Sequence, residues 1–279
     1  MKRIGLFLFF AWGVLLGLAQ SNTHFGGRSA GMAYASVTLS DVWSSHNNQA
    51  GLAWLKSKNV GVYYQNKFAL KQLSNVGLAY AQPMKKGTFA VQWSHFGYSL
   101  YQENKVGLAY ALLLSEKLSL GVQLDYLNTK LGGMYGSKNT LAGEVGLQAK
   151  LSSELTLGVH IYNPTRAKLN DYNQEAVPTI MRLGLGYNFS KKVLVTLESE
   201  KDIDHKPMLK AGVEYFAHKK MYVRGGVATG PTLASFGLGL NMEQYKLNIA
   251  TTYHQVLGFS PELSFTYTFK DGTKAQKVE

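Results

Sequence analysis

The residues best suited to metal or acid–base chemistry occur in one short polar stretch, DIDH, in the C-terminal half of the chain. Its Asp202, Asp204 and His205 place two carboxylates and an imidazole close together. Carboxylate oxygens are ligands that hard cations prefer, so the stretch could bind a metal. We favour the other interpretation, a solvated loop, and predict no metal site.

Two further histidines are candidates for acid–base chemistry. His160 and His254 fall on positions that we expect to face inward, and neither has an evident serine or carboxylate partner in the sequence. The patterns GxSxG, HExxH and the P-loop do not occur, and the chain has no cysteine. We therefore predict a protein that is not an enzyme, with no catalytic residue and no cofactor.

The first residues have the pattern of a secretory signal peptide. Lys2 and Arg3 precede an apolar run, and Gly17 and Ala19 supply small residues before a cleavage point. We predict a cleaved signal peptide at residues 1–20. The chain carries a net charge of +12, but an exported chain without a basic helix is not expected to bind nucleic acid.

From residue 59 onward, apolar and polar residues alternate in segments of about ten residues separated by turns. In KLSLGVQLDYL, for example, Leu118 and Tyr126 share an apolar face that Asp125 opposes. We count fourteen such segments. They predict an all-β fold, a closed antiparallel transmembrane β-barrel of about 14 strands at residues 58–270, with a polar tail at residues 271–279. The alternative is a soluble secreted β-sandwich that binds a ligand.

The connections between these segments indicate an orientation. Every second connection is short, as in PMKKG, LSEK, LSSE, FSKK, AHKK and NMEQ, whereas the others include the long YNPTRAKLNDYNQEAVP. Outer-membrane barrels have short periplasmic turns and longer outer loops, so we predict the outer membrane of a Gram-negative bacterium and contact with its lipid bilayer. The short turns carry lysines that could touch anionic headgroups or an acidic partner, although we favour a solubilising role. These are Lys85, Lys86, Lys191, Lys192, Lys219 and Lys220.

Charged residues on the face predicted to line the lumen alternate in sign from strand to strand. Opposite charges on neighbouring strands can pair across a sheet and stiffen the wall, or they can remain hydrated in an open channel. Both interpretations stay open, because the register of the strands is not visible in the sequence. The residues are Arg182, Glu198, Glu200, Lys210, Glu214 and Arg224.

A polar segment of small residues precedes the first strand, and it is neither a strand nor an amphipathic helix. A barrel of this size is too wide for its own side chains to fill. The inward face is also rich in glycine, for example at Gly121, Gly146, Gly212 and Gly226. We therefore predict that residues 21–57 form a hatch that plugs the lumen. Its candidate contact residues are Arg28, Asp41, Trp43, His46, Asn47, Asn48, Gln49, Ala50 and Gly51.

The stretch GGRSAGMAYASVTLSDVWSSHNNQAGLA resembles the N-terminal hatch of the FadL-like outer-membrane barrels, in particular the PorV/PorQ branch from Bacteroidota. In that pattern a small-residue run leads to an acidic residue, an aromatic and then Asn-Pro-Ala-Gly-Leu-Ala. Asp41 matches the acidic residue and Trp43 the aromatic, and the last run is matched from Asn48 to Ala53. Gln49 stands in place of the proline, which would have fixed one backbone angle. The resemblance implies a fourteen-stranded barrel with a hatch.

The resemblance implies two kinds of function. PorV-type members act as partners of the type IX secretion machinery, whereas FadL-type members admit hydrophobic molecules and release them sideways. Because the outer loops are modest and the lumen polar, we favour an accessory or scaffold subunit that binds other outer-membrane or secretion proteins. The alternative is a channel with a fatty-acid-like hydrophobic ligand and a lateral gate near strands one to three, with Asn48, Gln49 and Ala50 nearby.

Overall fold

The computed structural model describes residues 24–132, 136–167 and 177–270. The predicted signal peptide and the predicted polar tail lie outside these residues. Within them, no helix is long and apolar enough to cross a membrane.

The fold is a closed barrel of fourteen antiparallel strands, as the sequence predicts. Each strand pairs with its neighbours in the chain, and the first strand pairs with the last, from Asn59 opposite Thr268 to Gln65 opposite Glu262. Closure leaves no sheet edge, which is the condition for strands to cross a bilayer. The strands are β1 Asn59–Asn66, β2 Ser74–Met84, β3 Gly87–Tyr98, β4 Tyr101–Leu113, β5 Leu118–Leu131, β6 Ser137–Lys150, β7 Leu155–Tyr162, β8 Ile180–Ser190, β9 Val193–Asp202, β10 Met208–His218, β11 Met221–Ala228, β12 Leu233–Met242, β13 Tyr245–His254 and β14 Gly258–Thr268.

Period-two alternation determines which side chains face out. In β5, Val122, Leu124 and Tyr126 are exposed on the outer wall, whereas Gln123 and Asp125 are buried inside. β14 shows the same pattern, with Leu263 and Phe265 outside and Ser264 inside. The apolar outer face and polar inner face predicted for these strands are therefore confirmed.

The connections between strands are more varied than the sequence predicted. The turns at one end are short throughout, for example residues 191–192 and 219–220. At the other end, residues 163–179 form the longest connection, but only Ser99 and Leu100 join β3 to β4. The β3–β4 ladder continues as far as Tyr98 opposite Tyr101, so this connection is a two-residue turn. We call the end with uniformly short turns the short-turn end.

Residues 24–57, here called the N-terminal segment, lie inside the barrel. The segment contains two short helices, α1 Gly27–Ala30 and α2 Ser44–Asn47, and a 3₁₀ helix at Gln49–Trp54. Almost all of its side chains from Phe25 to Leu52 are buried or half-buried. The segment thus occupies the space that strand side chains leave unfilled.

Candidate functional site: the lumen and the N-terminal segment

Local hydrogen bonds fold the N-terminal segment into tight turns. Asp41 accepts the backbone N–H of Trp43 at 2.9 Å, and Ser44 donates to the Leu39 carbonyl at 3.0 Å. Asn48 then caps the 3₁₀ helix by accepting the Ala50 N–H at 3.2 Å. Short polar side chains compete with helical backbone bonds in this way, which explains why the helices last only one turn.

Gln49 occupies the place where the resemblance has proline, and its side chain makes contacts that proline lacks. Its amide nitrogen donates to Glu144 at 2.6 Å and to the Ser45 carbonyl at 3.2 Å. Gln49 is fully buried. The substitution therefore replaces backbone restriction by a hydrogen bond to the barrel wall.

One side of the segment is apolar and packs against β1 to β4. Phe25, Val42, Trp43 and Leu52 pack with Tyr63 and with a row of inward alanines. The small alanine side chains leave room for the larger apolar side chains of the segment, so this contact is packed like the core of a globular domain. They are Ala79, Ala81, Ala90, Ala109 and Ala111.

The opposite side is held by an arginine pair around one carboxylate. Arg28 of the segment donates to Glu214 of β10 at 2.6 and 2.9 Å, and Arg224 of β11 donates to the same carboxylate at 2.6 Å. Asp41 lies 3.7 Å from Arg28. Burial by itself would lower the pKa of Arg28, but the negative charge and the hydrogen bonds of Glu214 outweigh burial and raise this pKa above its usual value.

A second anchor binds the segment's backbone directly. Glu198 accepts the N–H groups of Ser36 at 2.7 Å and Val37 at 2.8 Å, and it pairs with Lys210 at 3.2 Å. Glu198 and Lys210 are both almost fully buried. This carboxylate therefore replaces water for two backbone donors of the segment.

Glu200 completes this anchor beside Glu198. It pairs with Lys210 at 2.7 Å, with Arg182 at 2.9 Å and with His24 of the segment at 3.0 Å. Arg182 also donates to the Asn47 carbonyl at 3.2 Å. Of the two interpretations left open for the lumen charges, the structure shows the paired one for all six residues, and it adds contacts to the segment.

A third anchor surrounds Glu144 of β6 and was missed by sequence reasoning. Besides Gln49, the carboxylate binds Lys105 at 2.5 Å and His160 at 2.8 Å. Lys105 also pairs with Asp125 at 3.0 Å. His160 thus has the carboxylate partner that the sequence did not reveal. The sequence feature that could have revealed this anchor was the inward position of Asp125 and Glu144 on neighbouring strands. These two residues are offset along the barrel.

A fourth contact joins the segment to the seam where the barrel closes. Tyr34 donates to Glu262 of β14 at 2.5 Å, and Tyr63 of β1 donates to the same carboxylate at 2.5 Å. Gln65 donates to the Tyr34 hydroxyl at 2.9 Å. The segment therefore bonds to the barrel around its circumference, from β1 to β14.

Glycines on the inner wall let the segment approach closely. A Cβ at Gly226 would lie 2.6 Å from the Ala33 nitrogen, and one at Gly158 would lie 2.5 Å from the Val37 oxygen. At Gly121 the obstructing atoms are the Gln49 and Ala50 backbone, and at Gly146 the Asn48 side chain. Each of these contacts is closer than any real side chain permits, so the absence of a Cβ is required here.

The structure corrects the position expected for a lateral gate. Asn48, Gln49 and Ala50 lie against Gly121 of β5 and Gly146 of β6, not beside strands one to three. The β1–β2, β2–β3 and β3–β4 ladders run without a register shift. The chain thus passes along β6 and β5 at Asn48 to Ala50 before it enters β1 at Asn59.

The DIDH stretch forms a turn at the end of β9. Asp202 lies 2.9 Å from the His205 imidazole and accepts the Asp204 N–H at 3.2 Å. Among the described residues, no group of three or more potential ligands is arranged to hold a metal ion. The Asp202 and His205 side chains therefore bond to each other, and Asp204 joins them through its backbone N–H.

Acid is expected to loosen the segment through its buried histidines. Burial, assisted by the nearby Lys105 charge, lowers the pKa of His46 to about 3, and burial lowers that of His24 to about 3. A released histidine titrates near its ordinary 6.5, so docking is fully stable above that pH and weakens as pH falls from 6.5 towards 3. At pH 5 each histidine weakens docking by roughly 2 kcal/mol.

Single-channel recordings in planar bilayers at pH 7.5 and 5.0 measure this effect. We expect more frequent openings at pH 5.0, and a smaller change in a His46→Gln variant, which can still donate to the Leu78 carbonyl. The exposed His205→Gln serves as control. An opening frequency that does not depend on pH would contradict the idea that protonation of the buried histidines loosens the segment.

Removing the Arg28 side chain is expected to widen the lumen at the short-turn end. Arg28 and Glu214 border two cavities, one of about 660 Å³ and one of about 150 Å³. Arg28→Met breaks a buried ion pair, which costs roughly 3–5 kcal/mol when one charge is left behind, less here because Arg224 still neutralises Glu214. We expect a larger single-channel conductance than in the wild type. Arg166→Met, in an exposed outer loop, is the matched control and should behave as wild type.

Known proteins resemble this chain in structure, whereas the sequence comparisons find no match. No family model and no curated protein matches the sequence. The toluene transporter TbuX of Ralstonia pickettii superimposes with a TM-score of 0.69 at 11% identity, covering 90% of this chain and 100% of that one. A FadL homologue from Pseudomonas aeruginosa gives 0.61 at 13% identity, covering 87% and 98%. The outer membrane protein Omp33 of Acinetobacter baumannii gives 0.51 at 10% identity, covering 76% and 98%. The chain therefore has the fold of the FadL-type outer-membrane barrels.

Proposed function

We propose that this protein is an outer-membrane channel for small hydrophobic molecules, in which residues 24–57 act as a hatch. The observation that carries the proposal is the way this segment fills the lumen. It is held by ion pairs, hydrogen bonds and close glycine contacts, all of which are reversible. A segment bound in this way can be displaced by a solute or by thermal motion, whereas a covalently fixed core cannot.

The class of solute follows from the outer half of the lumen. Apolar side chains from Leu127, Ala142, Tyr162, Val177 and Ile180 form a buried cluster there, beyond the polar anchor at Glu144. Apolar surface of this kind favours an apolar ligand over a charged one. The toluene transporter among the structural relatives supports the same class. We propose small aromatic or fatty-acid-like molecules as the solutes.

The proposed route runs through the lumen past the hatch. The ladders of β1 to β4 are continuous, so the described wall offers no opening there for sideways release. The two cavities beside Arg28 lie between the segment and strands β8 to β14, where the lumen is least tightly filled. We propose that this side of the segment moves away from the barrel wall first.

The secretion-scaffold hypothesis gains no support from the structurally similar proteins, which are a toluene transporter, a FadL homologue and an outer-membrane protein. Nothing in the geometry of the described residues points to a secretion partner. A pull-down from gently solubilised membranes tests it directly. A stoichiometric secretion subunit in that pull-down would favour the scaffold over the channel.

Uptake by whole cells tests the channel proposal, because an intact outer membrane resists hydrophobic solutes. Radiolabelled toluene and a radiolabelled long-chain fatty acid would be offered to cells with and without the protein. We expect faster uptake of at least one of them in the expressing cells, and no change for a small sugar. Equal uptake of both hydrophobic probes with and without the protein would refute the proposal.

A further inference from the structure

The smaller cavity beside Arg28, of about 150 Å³, has an excess of positive charge. Three cationic side chains and two carboxylates line it. Glu214 bonds to Arg28 and Arg224, and Asp41 lies 3.7 Å from Arg28. The two carboxylates therefore balance two cations and leave the third, Lys246. None of the ion pairs found among the described residues involves Lys246. A cavity with one excess positive charge attracts a monovalent anion.

Lys246 lies on the inner wall of the barrel, near the short-turn end of β13. Alternation along the strand places it on the same face as Asn248, which is only 8% exposed. Its neighbours across the ladders are Asn241 of β12 and Thr266 of β14, and both also line the cavity. The lysine interacts electrostatically with both carboxylates and both guanidinium groups there. Lys246 is itself exposed, so ions from solution can reach the cavity.

Trp43 of the N-terminal segment supplies a buried hydrogen-bond donor to the same cavity. The residue is 3% exposed, and its indole Nε1–H, which can only donate, has no acceptor among the described residues. The adjoining Cε2 atom lies 3.2 Å from the position of a Cβ at Gly61, and Gly61 pairs with Thr266, which lines the cavity. The donor edge of the ring therefore lies beside the cavity. A buried donor without an acceptor is costly, and an anion in the cavity removes that cost.

The donors that remain favour a spherical monoanion over a carboxylate or a phosphate. Arg28 uses Nε and Nη2 to bind the two oxygens of Glu214. Arg224 gives Nε to Glu214 and Nη1 to the Asn248 side chain at 2.9 Å. Single N–H groups from separate side chains are left, whereas a planar oxyanion binds best to an intact guanidinium fork. The two carboxylates also repel a dianion more strongly than a monoanion. Chloride has the charge and the shape that this arrangement selects.

We propose that the cavity binds one chloride ion. The Trp43 Nε1–H, the Lys246 ammonium group and the remaining N–H groups of Arg28 and Arg224 hold it. The ion links the N-terminal segment, which supplies Trp43 and Arg28, to the wall, which supplies Arg224 and Lys246. It therefore strengthens the docking of the segment on this side of the lumen. The proposal does not depend on the channel function, because it concerns binding to the resting barrel.

Quenching of Trp43 fluorescence by iodide tests the proposal, because iodide is a larger analogue of chloride that quenches an indole on contact. The variant W54F/W93F leaves Trp43 as the only tryptophan of the described residues, and Trp12 belongs to the predicted signal peptide. The purified barrel would be titrated with sodium iodide in mild detergent, with sodium gluconate keeping the ionic strength constant. Chloride or formate would then be added to displace the iodide. Heat-modifiable migration on gels verifies that each barrel is folded.

Three further substitutions in this background separate specific binding from general attraction of anions. Lys246→Gln removes one donor and one charge from the cavity. Lys117→Gln is the matched control, because it removes the same charge from an exposed turn at the short-turn end. Asp41→Asn removes a repelling charge but keeps the side-chain oxygen that accepts the Trp43 N–H.

We expect iodide to quench Trp43 along a saturating curve and chloride to displace it. Lys246→Gln should weaken iodide binding about tenfold and Asp41→Asn should tighten it about threefold, since each changes one charge beside the ion. Lys117→Gln should leave binding unchanged. Absent or linear quenching, or equal effects of the two lysine substitutions, would overturn the proposal. Displacement by formate but not by chloride would overturn the choice of chloride and assign the cavity to a carboxylate.

Discussion

Replacing Gly226 by valine is expected to displace the N-terminal segment and to raise passive permeability of the outer membrane. A Cβ at this position would overlap the backbone of Met32 and lie 2.6 Å from the Ala33 nitrogen. Overpacking of a close contact costs about 1–3 kcal/mol, which corresponds to roughly tenfold or more in the population of the open state. Sensitivity of cells to a large antibiotic that intact outer membranes exclude measures the effect.

The neighbouring residue supplies the control. Gly225 points the other way, and a Cβ there would have the Ser235 oxygen at 3.9 Å as its nearest atom. Gly225→Val should therefore leave permeability unchanged. If both valine variants behaved alike, close packing of the segment against the inner wall would not be what closes the lumen.

Replacing Glu198 by alanine is expected to release the segment from the wall. The change leaves Lys210 with Glu200 alone and strips two backbone N–H groups of their acceptor. Loss of one partner from a buried ion pair typically costs about 3–5 kcal/mol. We expect proteases added to the purified barrel to cleave within residues 24–57 much faster than in the wild type, while the strands remain intact.

Ser199→Ala is the matched control, because Ser199 is adjacent in β9 and lies on the outer wall beside the exposed Leu197 and Leu209. A Glu198→Gln variant separates charge from hydrogen bonding, since the Ser36 and Val37 N–H groups bond to one carboxylate oxygen, whose place the amide oxygen can take. It should be cleaved at an intermediate rate. Cleavage of Glu198→Ala at the wild-type rate would mean that this anchor does not hold the segment.

The barrel was predictable because its signal is repeated along the whole chain. In β5 alone, Val122 and Leu124 are each followed by a polar residue, and similar alternation marks the other strands of the fourteen. A register error in one strand does not disturb such a count. Loop lengths were less predictable, since the pairing of β3 with β4 continues as far as Tyr98 opposite Tyr101 and leaves a two-residue turn.

The contacts of the lumen could be predicted only in part. Arg182, Glu200 and Lys210 lie on successive strands, so alternating charge gave their pairing as one possibility. Glu144 was missed because its partners come from four distant parts of the chain, among them Gln49 and His160. Pairing across a lumen depends on strand register and on the path of the segment, and neither is encoded locally.

The path of the segment also explains the misplaced gate. From sequence, a gate was expected near the hatch and strands one to three, with Asn48 to Ala50 nearby. The structure places them against glycines of β5 and β6. Those glycines were visible as small inward residues, but nothing in the sequence indicates which part of the segment each one receives.

A reversible cross-link between the segment and the wall tests the central claim most directly. The chain has no cysteine, so Thr38→Cys with Gly186→Cys introduces a single pair. The Thr38 Cβ atom lies 3.3 Å from the position of a Cβ at residue 186, a separation that a disulfide spans after small adjustment, and no backbone atom obstructs the new Cβ. Uptake of radiolabelled toluene and fatty acid would be measured in cells that carry this variant, oxidised and then reduced. We expect oxidation to abolish the uptake that the protein confers and reduction to restore it. Full uptake through the cross-linked barrel would contradict a hatch that moves to admit hydrophobic solutes.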